Sequence, residues 1–202
     1  LAAGKYAYKP YDNVAAFFRT GIVQTNSIQI AGGSESVNYS VNYSKLEEEG
    51  FTPGNNLSRD NIGIGGSAKT GKLTFRGTLN FAKTDYTSPP VAASDGSGVI
   101  GGGASVFGDL MYTPRNVDLM GLPFERADGG SLYYRESNSI QNPLWTVKNS
   151  KTGQLVNRVF GSLVASYEVN EHLSFNYKYG IDTYSENSFY GQNAGGIDGE
   201  AL

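Results

Sequence analysis

Residues 36–44 alternate without a break. Val37, Tyr39, Val41 and Tyr43 are apolar or aromatic, and Asn38, Ser40 and Asn42 stand between them. A period of two describes a strand with one apolar and one polar face, and it excludes an amphipathic helix over the same residues. Upstream, Ile28 and Ile30 alternate with Ser27, Gln29 and Ala31. Matching faces pairs Ile30 with Val37 and Ile28 with Tyr39, which leaves Gly33-Ser34 at the tip of a hairpin.

Two more hairpins repeat the pattern. Ile62, Ile64, Gly66 and Ala68 share one face, and Leu73, Phe75, Leu79 and Phe81 return on it. Pairing Ala68 with Leu73 puts Thr70-Gly71 at the tip and sets Gly66 opposite Phe75, an aromatic over a glycine gap. In the third, Val159, Leu163, Ala165 and Tyr167 descend, and Leu173, Phe175, Tyr177, Tyr179 and Ile181 return. Pairing Val169 with Leu173 leaves Asn170-Glu171-His172 as the tip. Ahead of them, Asp12 can cap a short helix ending near Arg19, with Gly21 as its stop.

These elements divide the chain into a leading segment over 1–25, two hairpins over 26–84, a long loop over 85–156, a hairpin over 157–184 and the start of another loop over 185–202. The fold class expected is all-β, with about six antiparallel up-and-down strands. The links alternate in length: tips of two or three residues at one end, and longer stretches, 45–57 and 85–156, at the other. That parity describes a large transmembrane β-barrel better than a Greek-key sandwich.

Charge placement agrees. The apolar faces carry no Asp, Glu, Lys or Arg, whereas Arg76, Lys178 and Asp182 fall on the polar faces with Asn38 and Asn42. In a barrel those five residues face the lumen. Tyr43, Phe81, Tyr167 and Phe175 lie toward strand ends, where aromatic girdles sit. No run approaches 18 apolar residues, but a barrel strand needs only about 10, every second one apolar. A mean hydropathy of −0.35 fits such a chain. Six strands cannot close a membrane barrel, whose smallest form has about eight, so a piece of a larger barrel is expected. The chain opens on Leu1-Ala2-Ala3-Gly4, with no signal peptide expected in it.

Composition removes several function classes. Charged residues are 17%, below the ~25% of an ordinary domain. Sixteen Lys and Arg against nineteen Asp and Glu give a net charge of −3 and no basic nucleic-acid surface. With no cysteine and one histidine, His172, neither a thiol nucleophile nor a histidine metal site is available. His172 reads as a turn residue, and Asp60 and Asp182 stand alone, with no metal cluster. Asp95-Gly96-Ser97-Gly98 and Gly101-Gly102-Gly103 lack the Lys-Ser/Thr of a phosphate loop. No enzyme and no cofactor is expected. Glu47-Glu48-Glu49 reads as a solvated loop face.

The long loop is richer in aromatics than a disordered tract, with Met111, Tyr112, Tyr133, Tyr134 and Trp145. Tyr133, Tyr134 and Trp145 are the candidate ligand contacts. Two roles stay open for them: packing a small core of the loop itself, or meeting a partner or stacking on sugar rings.

Ile30-Ala31-Gly32-Gly33-Ser34-Glu35-Ser36-Val37-Asn38-Tyr39-Ser40, followed by Tyr43, Glu49-Gly50-Phe51 and Arg59, resembles a SusC/RagA-type TonB-dependent outer-membrane transporter. Asp12 with Phe17-Phe18-Arg19-Thr20-Gly21 is similar to the family's D-F-F-x-T-G segment. Thr113-Pro114-Arg115-Asn116-Val117-Asp118-Leu119, Asn142-Pro143-Leu144-Trp145 and Asn157-Arg158-Val159-Phe160-Gly161 are similar to further family motifs. The resemblance spans about residues 10–184. It implies a 22-strand barrel around a plug domain that lies outside this chain. It also implies import of glycans or peptides across the outer membrane of a Gram-negative bacterium, a SusD-like lipoprotein lid, and energy from TonB through the plug. It carries no substrate-binding residue to a position here. The alternatives are a soluble extracellular β-sandwich that binds carbohydrate, and a structural surface protein of repeated hairpins.

Overall fold

The computed structural model describes residues 8–89, 106–134 and 141–196. The Asp95 and Gly101 loop motifs lie outside them.

Six strands form one antiparallel sheet in chain order: β1 (Ile22–Gly33), β2 (Val37–Glu49), β3 (Asn56–Thr70), β4 (Leu73–Ser88), β5 (Ser150–Asn170) and β6 (Leu173–Gln192). The architecture is the all-β, up-and-down one that the alternation predicts. No second layer lies over the sheet among the described residues. Tyr39, Leu79 and Tyr177 are 55%, 44% and 69% exposed on its apolar face. A sandwich seals that face under a second sheet, and none is present among the described residues. The outer edges of β1 and β6 have no strand partner among the described residues.

The registers differ from the expected ones in two hairpins, always by an even step. Ile30 faces Val41 rather than Val37. The tip moves to Glu35-Ser36, because the Ser34 N–H donates to the Val37 carbonyl at 2.6 Å and Ser34 Oγ accepts from the Val37 N–H. In the second hairpin Ala68 faces Phe75, so Phe75 does not cover Gly66, whose partner is Gly77. Gly71, at φ +56°, turns this tip with Lys72. The third keeps Tyr167 opposite Phe175, but a bulge between Glu168 and Asn170 shortens its tip to Glu171-His172. An odd slip would turn every apolar side chain to the wet side; even slips keep each face intact.

Strands also run further than the alternation marks. β2 continues through Glu47-Glu48-Glu49, so the link expected over 45–57 shrinks to a turn over 50–55. β4 runs to Ser88 and β5 begins at Ser150, so the long loop occupies 89–149. β6 reaches Gln192, through the stretch expected to begin a loop. Charge on both sides of a ribbon ends an apolar face without ending its backbone ladder.

The leading helix α1 (Asn13–Phe17) is capped by Asp12, whose side chain accepts from the Ala15 N–H. It stops at Phe18, where the backbone turns extended, so Arg19 and Gly21 lie beyond it. Arg19 instead ties the segment to the 50–55 turn. Its Nε donates to the Gly50 carbonyl at 3.0 Å, its N–H to Phe51, and its guanidinium pairs with Glu49 at 3.3 Å.

The only sizeable core among the described residues is at the long-loop end. Helices α2 (Val106–Tyr112) and α3 (Pro143–Asn149) pack with α1 there. Phe17, Val106, Leu110, Leu119 and Tyr133 form the buried cluster, with Phe18, Tyr134, Leu144 and Val147 against it.

Candidate functional site

On the apolar face the registers line up five successive rows without a charge. The lowest holds Thr70, Leu73, Tyr167 and Phe175; the highest holds Ile28, Tyr43, Ile62, Phe81, Val159 and Thr183. The four aromatics expected near strand ends, Tyr43, Phe81, Tyr167 and Phe175, therefore occupy the two border rows. Rows two residues apart are about 6.6 Å apart along a strand. At a barrel strand's tilt the outer rows are then about 20 Å apart in height, close to the ~25 Å apolar band of membrane barrels once side chains are added. The next row up reads Asn26, Lys45, Asp60, Lys83, Asn157, Ser185. Charge appears on this face only where the belt stops.

The opposite face gathers the five residues expected in the lumen. Asn38, Ser67, Arg76, Val164 and Lys178 form one row, and Asn42, Gly63, Asn80, Phe160 and Asp182 another. Small polar groups link strand to strand. Asn38 Nδ2 donates to Ser67 Oγ at 3.3 Å, and Ser166 Oγ to Asn176 Oδ1 at 2.6 Å. The Asn42 and Asn80 carboxamides lean over Gly63, filling the space a side chain there would need. Arg76 and Lys178 make no ion pair among the described residues.

Three more residues lie on the polar face beyond the five that the sequence assigns to it. Arg158 pairs with Asp182 and lies over the Phe160 ring. Arg59 Nε donates to Thr84 Oγ1 at 3.1 Å, and Gln154 donates to Glu186 at 2.6 Å. Each lies above the clear alternation. Extending the strands at the same parity places them on this face.

The loop resolves its aromatics unequally. Trp145 has no exposed surface, and its Nε1 donates to the Gly129 carbonyl at 2.9 Å. Asn142 caps α3 by accepting from the Leu144 N–H at 2.9 Å, which fixes the Trp145 helix. Tyr133 is buried, and its hydroxyl lies 2.5 Å from Thr113 Oγ1 and donates to the Asp109 carbonyl at 3.1 Å. Burial pushes its phenol up to about 12. Packing the loop's own core is therefore the role these two rings fill. Tyr134 packs edge-on against Tyr133 at 4.5 Å and stays partly exposed. Both tyrosines line an open apolar cavity of about 200 Å³ with Val117, Leu119, Leu122 and Pro123.

The loop is tied down on two sides. Asn13 Nδ2 donates to the Val117 carbonyl at 2.9 Å, and Asn13 Oδ1 accepts from the Leu119 N–H. Lys148 pairs with Glu125 and holds its carboxyl below the usual range. Phe18, Phe51 and Phe107 form a triad, Phe18 tilted against Phe51 at 5.4 Å and Phe107 at 5.8 Å and those two stacked at 6.4 Å, joining the leading segment, the 50–55 turn and α2.

The chain has the fold of part of a β-barrel wall. Solved structures similar to it include two of the RagAB peptide importer, in the closed-closed and open-open states. The similarity covers 89% of this chain and 19% of each importer chain, at TM-scores of 0.66 and 0.68 and 17% identity. The chain thus spans about one fifth of those neighbours' length. No family model matches it, and no curated protein matches it.

Proposed function

We propose that this chain is part of the barrel wall of a SusC-like, TonB-dependent transporter that imports a large nutrient, an oligosaccharide or a peptide, across the outer membrane of a Gram-negative cell. The observation that carries it is the five-row belt, free of charge and, among the described residues, bare of any covering layer. In water such a face would drive aggregation; against hydrocarbon it is matched. The polar face then lines the lumen, where Asn38, Asn42, Arg76, Lys178 and Asp182 meet the plug or the passing cargo. No bond is made or broken; the wall supplies hydrogen-bond donors, acceptors and charge to a polar polymer. The long loop, with its Tyr134-lined cavity, stands where a SusD-like lid closes, and TonB acts through a plug outside this chain.

The test is a pair of spin labels on neighbouring residues of the full-length protein in lipid vesicles. The chain has no cysteine, so Tyr177→Cys and Lys178→Cys label without background from it. A label at 177 should relax with oxygen dissolved in lipid, and one at 178 with an aqueous nickel chelate. The reverse result, or a cooperatively folded monomer in buffer without detergent, overturns the proposal.

A further inference from the structure

We infer that the cargo is an acidic peptide, drawn to Arg76 and Lys178 on the polar face of the sheet; this rests on the import function proposed above. The two cations stand in one row, on β4 and β6, with Val164 of β5 between them. Two strand spacings, about 10 Å, separate their backbones. Both are exposed, and neither side chain makes a hydrogen bond or ion pair among the described residues. The other two arginines of this face are engaged within the sheet, Arg59 by Thr84 and Arg158 by Asp182. No acid answers the free pair. Going up β6 from Lys178, the first is Asp182, four residues on, and Arg158 already holds it. Going down β5 from Val164, the first is Glu168, again four residues on, and four residues of strand span about 13 Å. Lys69, one row lower on β3, stands beside the Glu35-Ser36 tip, whose Ser36 carbonyl accepts from its N–H. The unanswered charge is therefore that of Arg76 and Lys178.

The surroundings suit an extended chain. The row above the cations reads Ser40, Gly65, Thr78, Ser162, Gly180, with no side chain larger than threonine. Its three hydroxyls make no hydrogen bond among the described residues, so they are free to meet peptide amides. Behind the wall at this depth lies the belt. Hydrocarbon there is a low-dielectric backing, which directs the field of the two cations into the passage. An extended peptide laid along the row presents every second side chain to the wall, about 7 Å apart. Two carboxylates at that spacing lie within reach of Arg and Lys side chains rooted on either side of Val164. A neutral peptide gains the hydroxyls and nothing from the charges.

The test is binding of rhodamine-labelled peptides to the full-length transporter in mild detergent, read by fluorescence polarisation. The probes are alternating Ala-Glu, Ala-Gln and Ala-Lys peptides of equal length. The Ala-Glu peptide should bind several-fold more tightly than the other two, by a margin that narrows as salt is raised. Arg76→Gln combined with Lys178→Gln should bring it level with the Ala-Gln peptide. Arg76→Lys combined with Lys178→Arg should keep the margin, and so should Lys83→Gln on the opposite face. No margin for the Ala-Glu peptide in the unaltered protein overturns the proposal, as does a margin unchanged in the double Gln variant. An oligogalacturonate of equal charge that outcompetes the Ala-Glu peptide overturns it in favour of an acidic glycan. A spin label at 178 that relaxes with oxygen in lipid instead overturns the barrel reading beneath it.

Discussion

Arg158 forks onto Asp182 across β5 and β6, with Nε to Oδ1 at 2.8 Å and Nη2 to Oδ2 at 2.5 Å. The two are not register partners: Arg158 faces Tyr184, and Asp182 faces Phe160. The fork therefore crosses a diagonal, with the Phe160 ring 5.1 Å from the guanidinium. Both side chains are about half exposed, so the pair adds little stability. Its significance is positional, because Val159, one residue along, belongs to the belt.

A matched pair of substitutions separates the two faces. Leu163 and Val164 are neighbours on β5 with opposite orientations. Leu163→Arg puts charge at mid-belt and should cost about 2–4 kcal/mol in a bilayer. Val164→Arg enters the row of Arg76 and Lys178 and should leave assembly nearly unchanged. Urea titration of vesicle-folded protein, read by heat-modifiable migration, checks the difference.

Trp145 anchors the loop. Trp145→Ala should destabilise that region by about 3–5 kcal/mol, as truncation of a buried large ring does. The sheet shares few contacts with this core, so its assembly should persist. Limited proteolysis should then cut within residues 106–149 while the strands stay protected.

Tyr133 gives the loop an alkaline limit. Its folded value, about 12, lies above the ordinary 10. The stability from the protonated phenol is complete below pH 10 and is lost as pH rises toward 12. Tyrosinate absorbance should show a late-titrating component that shrinks in Tyr133→Phe.

Gly71 should resist replacement for backbone reasons alone. A methyl there meets nothing within 4 Å, yet its φ is +56°. Gly71→Ala should cost about 1 kcal/mol, seen as a lower urea midpoint without a change in slope.

The sequence revealed the sheet where lipid-type patterning is strict. Val37, Tyr39, Val41 and Tyr43 announce their strand because one side must be free of charge. Above Lys45 that demand ends: Glu47 and Glu49 share a side with Tyr43, and the period disappears although the ladder continues. Hairpin tips were off by even steps because face matching fixes parity alone, while Ser34 Oγ and its backbone contacts select the register. The five lumen candidates shared a face as read, since parity sufficed. Arg158 shows in the sequence only as a motif residue and not on the polar face, because the clear alternation begins just after it. Trp145 and Tyr133 could not be assigned between core and ligand, because burial in an irregular loop depends on contacts as distant as Asn13 to Val117.

The bare flanks of β1 and β6 set how such a ribbon can be made. Among the described residues each presents a row of backbone donors and acceptors along its length, which the proposed lipid surroundings would leave without water to satisfy them. Such a ribbon is at rest only when a neighbouring strand has zipped onto each side. On the proposed barrel reading the cooperative unit is the closed ring, and a length synthesised alone should seek its missing neighbours in copies of itself.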